Sequence, residues 1–456
     1  MKSMTSMKPM TSMKSMPSMK SMTSYMIAVA GGGASGMIAA ITAAGKIPGS
    51  RILLIERGAR VGRKLLATGN GRCNISNRGA SIEHYHGAHP EFVLPALGRF
   101  PVERVEEVFG KMGLPFAEEK NGKLFPMSLQ AAAVVDVLRM ELERLGIETL
   151  TETEVSALRR EMGGFRLRLT SENGEEEVFA EKLILSCGGE ASAGLGGCTG
   201  GYKLLQSLGH TITPRMAGIV QLKADMTGIK GLSGSKFQAV LTLLDGKRVC
   251  RKESGELLFT DYGVSGPPVL LISEAAVRLM KLGKTPVLSV DFLPEISYPE
   301  LLEMLERRKE LHPERKLEDY FTGFIPKRLG QCILKSAGAA PLSREAGTLG
   351  KEELKKVAAL LKAFPIRITG DNGLKNAQVT IGGADTGEFD PESMQSKKAA
   401  GLFVTGELYD IDGDCGGFNL QWAWSSGMLA AESAVRSLGR GQRAQRSNLF
   451  RKGNEC

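Results

Sequence analysis

The chain lacks any hydrophobic run approaching the roughly 18 residues that a membrane span requires, and no apolar segment follows its N-terminal lysines. Neither a membrane span nor a secretory signal is therefore expected, and the expected location is cytoplasmic. Cysteine is sparse and unpaired: Cys73, Cys187, Cys198, Cys250, Cys332, Cys415 and Cys456 include no C-x-x-C pair, which argues against a zinc site and a disulfide framework. Of the five histidines, His84, His86 and His89 cluster without cysteines or acids at ligand spacing, so no metal site is expected. Tryptophan is limited to 2 residues, whereas glycine reaches 56 of 456, well above its usual ~7%. Without a collagen period, that excess points to tight loops approaching a ligand.

The formal charge of +9 is confined to the ends. Residues 1–24 carry Lys2, Lys8, Lys14 and Lys20 with no acid, and residues 436–456 carry five arginines and Lys452 against Glu455. The body, residues 25–435, holds 49 basic and 49 acidic side chains. A neutral body with two basic tails lacks the broad positive face of a nucleic-acid binder, so no nucleic-acid partner is expected. Residues 1–22 place methionine at every third position, a period that buries neither a helix nor a strand face. Residues 1–24 are expected to be a disordered, dispensable tail, with Met22 and Met26 as alternative starts.

Order begins at Tyr25–Ala30, an apolar run leading into Gly31-Gly32-Gly33-Ala34-Ser35-Gly36, which satisfies G-x-G-x-x-G. A small-residue helix then precedes a second apolar run, Ile52–Ile55, ending in Glu56, 20 residues after Gly36. This is a βαβ dinucleotide-binding unit. Gly31 makes the turn, Gly33 lets backbone approach a pyrophosphate, and Gly36 permits close helix–strand packing. Ala34 and Ser35 open the helix whose free N–H groups face the phosphates, and Glu56 and Arg57 flank the ribose. The stretch Gly62–Asn77 holds Arg63, Lys64, Gly71, Arg72, Cys73 and Asn74 and reads as a loop wrapping an anionic, polar ligand. Near the other end, a strand at Gly401–Thr405 runs into Gly406 and Glu407. A second glycine loop with Gly417, Asn419 and Leu420 then opens a helix over Trp422–Ser437. Two such sites so far apart imply a discontinuous domain.

The blocks Gly62–Asn77, Leu258–Pro268 and Thr405–Gln421 resemble the signatures of the BaiN-like flavoproteins, also labelled aminoacetone-oxidase-like FAD-binding proteins, over residues 26–440. The resemblance implies an α/β fold: a discontinuous Rossmann FAD domain of the two-dinucleotide-binding type at 25–195 and 366–440, with an inserted β-rich plus helical domain at 196–365 and a basic tail at 441–456. It implies an adenine contact near Val155 and a returning strand ending in Ser186-Cys187-Gly188-Gly189. Relatives carry Ala-Thr-Gly-Gly there, so contacts from the first two side chains are not carried over. The activity implied is FAD-dependent reduction of 3-oxo-Δ4,6 bile-acid intermediates.

A flavin moves hydride itself, while protein orients it and excludes water. The expected reaction is NADH- or NADPH-driven reduction of an activated C=C bond in a hydrophobic 3-oxo-Δ4 or Δ4,6 steroid-like enone. Tyr409 and Tyr262 are the candidate proton donors. No second fingerprint precedes a βαβ unit, so the nicotinamide is expected to dock transiently. Pyrophosphate, ribose and ribityl contacts favour FAD over FMN, and no obligate protein partner is evident. Two alternatives remain: an oxidase passing electrons from a small amine such as aminoacetone to oxygen, and an RNA-related flavoprotein, which the neutral body disfavours.

Overall fold

A computed structural model describes residues 22–452, so the low-complexity segment up to residue 21 and the last residues of the basic tail lie outside the described residues. The strand Ser24–Ala30 is flanked in parallel by Ile52–Ile55 on one side and Gly174–Leu185 on the other. Its central residues are buried on both faces, which is why the run is continuously apolar rather than alternating. Glu148–Leu150 extends the parallel sheet beyond Ile52–Ile55, and Leu402–Val404 pairs with Leu183–Leu185 at the far edge. The N-terminal half of Gly174–Leu185 instead pairs antiparallel with Gly164–Ser171, which pairs with Glu154–Glu161.

The helix Ala34–Ala44 is buried from Ser35 to Ala43 except at Thr42. It lies between the sheet and the last helix, Phe418–Lys452, which begins four residues before the expected start at Trp422. A Cβ on Gly427 would stand 2.6 Å from the Ser35 carbonyl oxygen and 2.8 Å from Ile38 Cγ2. That crossing distance is what selects small residues in both helices.

The inserted unit is a closed antiparallel barrel of Leu222–Ala224, Gly263–Ser265, Arg248–Phe259, Lys236–Asp245, Val287–Asp291 and Phe364–Asp371. Helices Pro267–Lys281, Tyr298–Leu311, Lys327–Ser336 and Lys351–Lys362 cover it. The apolar alternation at Phe237–Leu244 becomes a barrel strand and the charged stretch Glu300–Arg315 a helix ending at Leu311. The boundaries differ from those expected. The helix Gly200–Ser207 buries Tyr202, Leu204 and Leu205 in the dinucleotide-binding core, whereas Phe364–Asp371 closes the barrel. The insert therefore runs from 222 to 371, not 196 to 365. The two units join through a short ladder, Met216–Gly218 against Val379–Ile381.

Ion pairs also cross the junction. Arg278 on the barrel's helix reaches Asp412 Oδ1 at 3.0 Å across it while also pairing with Glu274 on its own helix at 2.8 Å, and Arg251 on a barrel strand reaches Asp414 Oδ1 at 2.9 Å. Asp412 is 1% exposed, and burial pushes its carboxyl well above the ordinary value despite Arg278.

Two outcomes follow. Gly427→Ala should lower stability by about 2 kcal/mol, the usual cost of forcing a methyl into a packed crossing, measurable by urea denaturation. Arg278→Met should lower the thermal midpoint more at pH 8 than at pH 5. Arg278 holds the Asp412 carboxyl down, so its removal raises that pKa further above the unfolded value; the added cost is absent at low pH, where the carboxyl is protonated in both proteins, and grows as pH rises.

Candidate functional site

The C-terminal ends of the parallel strands open onto one cavity of about 600 Å³, in the range of ligand sites. Gly31, Glu56 and Ser186, which follow the strands Ser24–Ala30, Ile52–Ile55 and Gly174–Leu185, form part of its wall or floor. Gly31, with φ +114, follows the first strand, and a Cβ there would stand 2.3 Å from the Ser186 carbonyl oxygen. A Cβ on Gly36 would stand 1.8 Å from the Gly31 carbonyl oxygen, so Gly36 acts through packing and does not line the cavity. Gly33, Ala34 and Ser35 do line it. Their helix has no side-chain cap and no acid in its first turn, leaving its first N–H donors for a ligand. Glu56 accepts from Gly32 N–H at 2.9 Å and Gly58 N–H at 2.6 Å, which fixes its carboxylate at the wall.

The cations are less free than the sequence implies. Lys64 pairs with Glu407 at 2.6 Å, and Arg72 pairs with Glu119 at 2.8 Å while lying over the Phe125 ring. Arg57 and Arg63 donate to the carbonyls of Gly196 and Gly194 at 3.3 and 3.1 Å, clasping a glycine-rich strap over the cavity. Gly188, Asn74, Gly417 and Leu420 line the same space, as does Asn419, whose amide is held by Gly413 N–H and C=O at 2.8 and 2.6 Å.

The residues fit FAD on features of their own. Gly33 and Gly188 have nothing within 4 Å of where a Cβ would lie, leaving open space beside exposed backbone. The Asn74 Oδ1 atom is buried and unpartnered at the wall, an acceptor awaiting a donor. FAD held here would supply two-electron hydride chemistry. The residues that would hold it are the N–H donors at 33–35, Glu56 toward its hydroxyls, Gly188 at a close backbone approach, and Asn74 with the 416–420 loop at the far end. Val155 lines a smaller adjoining cavity of about 80 Å³ together with Gly31, Glu56, Cys187 and Cys198. The Ser186 hydroxyl lies 2.7 Å from Thr405 Oγ1, a contact within the protein.

Several expected residues fall elsewhere. Tyr409 is fully buried and donates to the Met394 carbonyl at 3.1 Å, enclosed by Phe92, Phe389 and Trp422. Tyr262 sits on a barrel turn whose backbone oxygen accepts from Ala224 N–H, away from the cavity. Neither is placed to donate a proton. Cys73 is buried beneath its loop, where burial pushes the thiol up to about 11. Gly71, on the outer turn of that loop, and Gly406, whose N–H donates to Ser426, do not line the cavity.

Sequence reading missed the strap at Ala193–Gly197 and, on the barrel side, Ile219, Leu270, Gln378 and Val379, whereas Pro267 on the same wall belongs to the Leu258–Pro268 block that the sequence did single out. The paired glycines at 188–189 and 196–197 were the legible signal for the strap; the other wall residues had none, since only the fold brings them to the cofactor loops. His86, Glu274 and Asp414 also meet, with ligand atoms within 4.8 Å of one another. Arg251 and Arg278 already neutralise those carboxylates, so the cluster is built as an ion-pair network between the units.

Because Gly33 faces open space, Gly33→Ala should leave the thermal midpoint of the cofactor-free protein unchanged while weakening FAD binding by about tenfold or more, the scale of one lost backbone approach. Fluorescence titration of FAD alongside a melting curve separates the two effects.

The signature of the HI0933-like protein Rossmann domain matches residues 25–433. The chain is 36% identical over 409 residues to a 3-dehydro-bile acid delta(4,6)-reductase of Clostridium scindens, covering 90% of this chain and 98% of that protein. It is 32% identical over 410 residues to a ribosomal RNA dihydrouridine synthase of Escherichia coli, covering 89% and 97%. Among solved structures, a 3-ketosteroid delta1-dehydrogenase from Sterolibacterium denitrificans shares the fold with a TM-score of 0.52 at 13% identity, covering 91% of this chain and all of that one. By the extent of these matches, the chain belongs to the HI0933-like family of Rossmann-domain proteins.

Proposed function

We propose that this protein reduces a carbon–carbon double bond conjugated to a ring carbonyl, using NADH or NADPH as donor, with a 3-oxo-Δ4 or Δ4,6 steroid or bile-acid enone as acceptor. The broader class, an FAD-dependent oxidoreductase acting on C=C, follows from the family and its named relatives. The observation that carries the acceptor is the composite cavity: the dinucleotide loops form one side, and apolar Ile219, Pro267, Leu270 and Val379 line the other part of the same space. A flat apolar ring beside a flavin is what such a wall accommodates. The inserted unit is a barrel rather than a second nucleotide-binding fold, consistent with transient nicotinamide docking.

With both tyrosines off the cavity, proton delivery to the α-carbon falls to solvent or to the wall itself. The Cys415 thiol lines that wall, and burial raises its pKa, so it stays protonated at neutral pH. A second reading rests on the relatives named ribosomal RNA dihydrouridine synthases, at 32% and 28% identity. Forming dihydrouridine saturates a ring C=C conjugated to a carbonyl, the same reactive group in a different carrier.

Anaerobic stopped-flow of the FAD-loaded protein tests both readings. Bleaching by NADH or NADPH, then reoxidation by a 3-oxo-Δ4 steroid faster than by air, is the expected result. Reoxidation by a uridine-containing ribosomal RNA fragment and not by steroid assigns the second reading. Reduction by aminoacetone but by neither nicotinamide, with quick recovery in air, overturns both.

A further inference from the structure

Ile219 lies where the chain leaves the dinucleotide-binding unit for the barrel, and its φ is +50. The other non-glycine residues with positive φ among those described are Asn70, Cys73, Asn121, Leu129, Glu152, Ser192 and Met394. Ile219 alone among them is β-branched, and a β-branched side chain in the left-handed region is a true outlier. Glycine or asparagine would adopt this backbone with far less strain.

The surroundings force the conformation. Gly218 is paired with Val379 in the ladder joining the units. The Val220 N–H donates to the buried Ser273 hydroxyl at 3.1 Å, and the Gln378 N–H donates to the Ile219 carbonyl at 3.2 Å. Both flanks are thus anchored, one to the barrel's helix and one to the returning strand. Strain persists only where structure over-determines it, and it collects at ligand-facing positions. A second observation is independent of the backbone: Ile219 is 6% exposed and lines the main cavity with Pro267 and Leu270.

We propose that Ile219 is a substrate-contact residue, held in a strained backbone so that its stiff branched side chain forms the apolar wall against which the acceptor ring lies. A flat ring held beside the cofactor needs its other face shielded from water, and a β-branched side chain with few rotamers supplies a fixed surface. The acceptor class rests on the reductase reading above; the strain does not.

The test compares Ile219→Ala, Ile219→Gly and Ile219→Val in the FAD-loaded full chain. Alanine and glycine both delete the wall, but only glycine relaxes a positive φ. Ile219→Gly should therefore melt at a higher temperature than Ile219→Ala, the reverse of the order at ordinary buried positions. Both deletions should weaken binding of a 3-oxo-Δ4 steroid by about tenfold or more, the scale of one lost apolar contact in a pocket. The readout is perturbation of the oxidised flavin spectrum. Ile219→Val, which keeps the branched side chain, should retain binding. An alanine variant as stable as the glycine variant overturns the strain. Unweakened steroid binding by both deletions overturns the contact. A wild-type protein that perturbs with neither steroid nor ribosomal RNA overturns the reductase reading and the contact with it, while the alanine–glycine order still decides the strain.

Discussion

Backbone packed directly on backbone at the first turn is the constraint on which the site depends. The carbonyl of Gly31 sits so close to Gly36, and that of Ser186 so close to Gly31, that no side chain fits at either glycine. This contact presses the start of the helix against the ends of two strands. As a result the uncapped N–H groups at 33–35 have no protein partner to turn to and face the cavity. The last helix then fixes the first from outside through Gly427, so binding geometry and core packing share one set of close approaches.

Charge has a smaller part than the sequence suggests. Lys64 and Arg72 meet Glu407 and Glu119, acids distant in sequence, and so enter the wall as neutralised pairs. Arg57 and Arg63 spend donors on the strap. What remains for an anionic ligand is mainly directional: backbone N–H groups, a helix dipole and fixed acceptors. Such a site reads shape and hydrogen-bond pattern more than net charge.

The parts legible in the sequence were those in which local pattern and local structure coincide. Tyr25–Ala30, the glycine turn and Ile52–Glu56 lie within one continuous unit, and their spacing specifies both the fold and the cofactor edge. Tyr409 shows the limit. Its neighbours Gly406 and Glu407 lie at the edge of the site, yet the next turn carries the ring into a cluster with Phe92, Phe389 and Trp422 that no local pattern announces. The barrel boundary was missed for a related reason. Phe364–Asp371 has the same alternation whether it joins a barrel or a sheet edge, and only its partners Val287–Asp291 and Leu222–Ala224 decide. The apolar wall combines residues from both sides of that boundary, so most of it was invisible until the boundary was known.

The discontinuity of the dinucleotide-binding unit sets an order of assembly. Gly31, Glu56 and Ser186 belong to the early part of the chain, but the edge strand Leu402–Val404, Glu407 and the helix carrying Gly427 are made only after the whole barrel. During synthesis the first βαβ unit thus waits with an open sheet edge and an uncovered helix while the barrel emerges and folds. The helix that packs on the first one is therefore among the last parts made, and a chain halted before the barrel is complete holds the nucleotide turn without that covering helix.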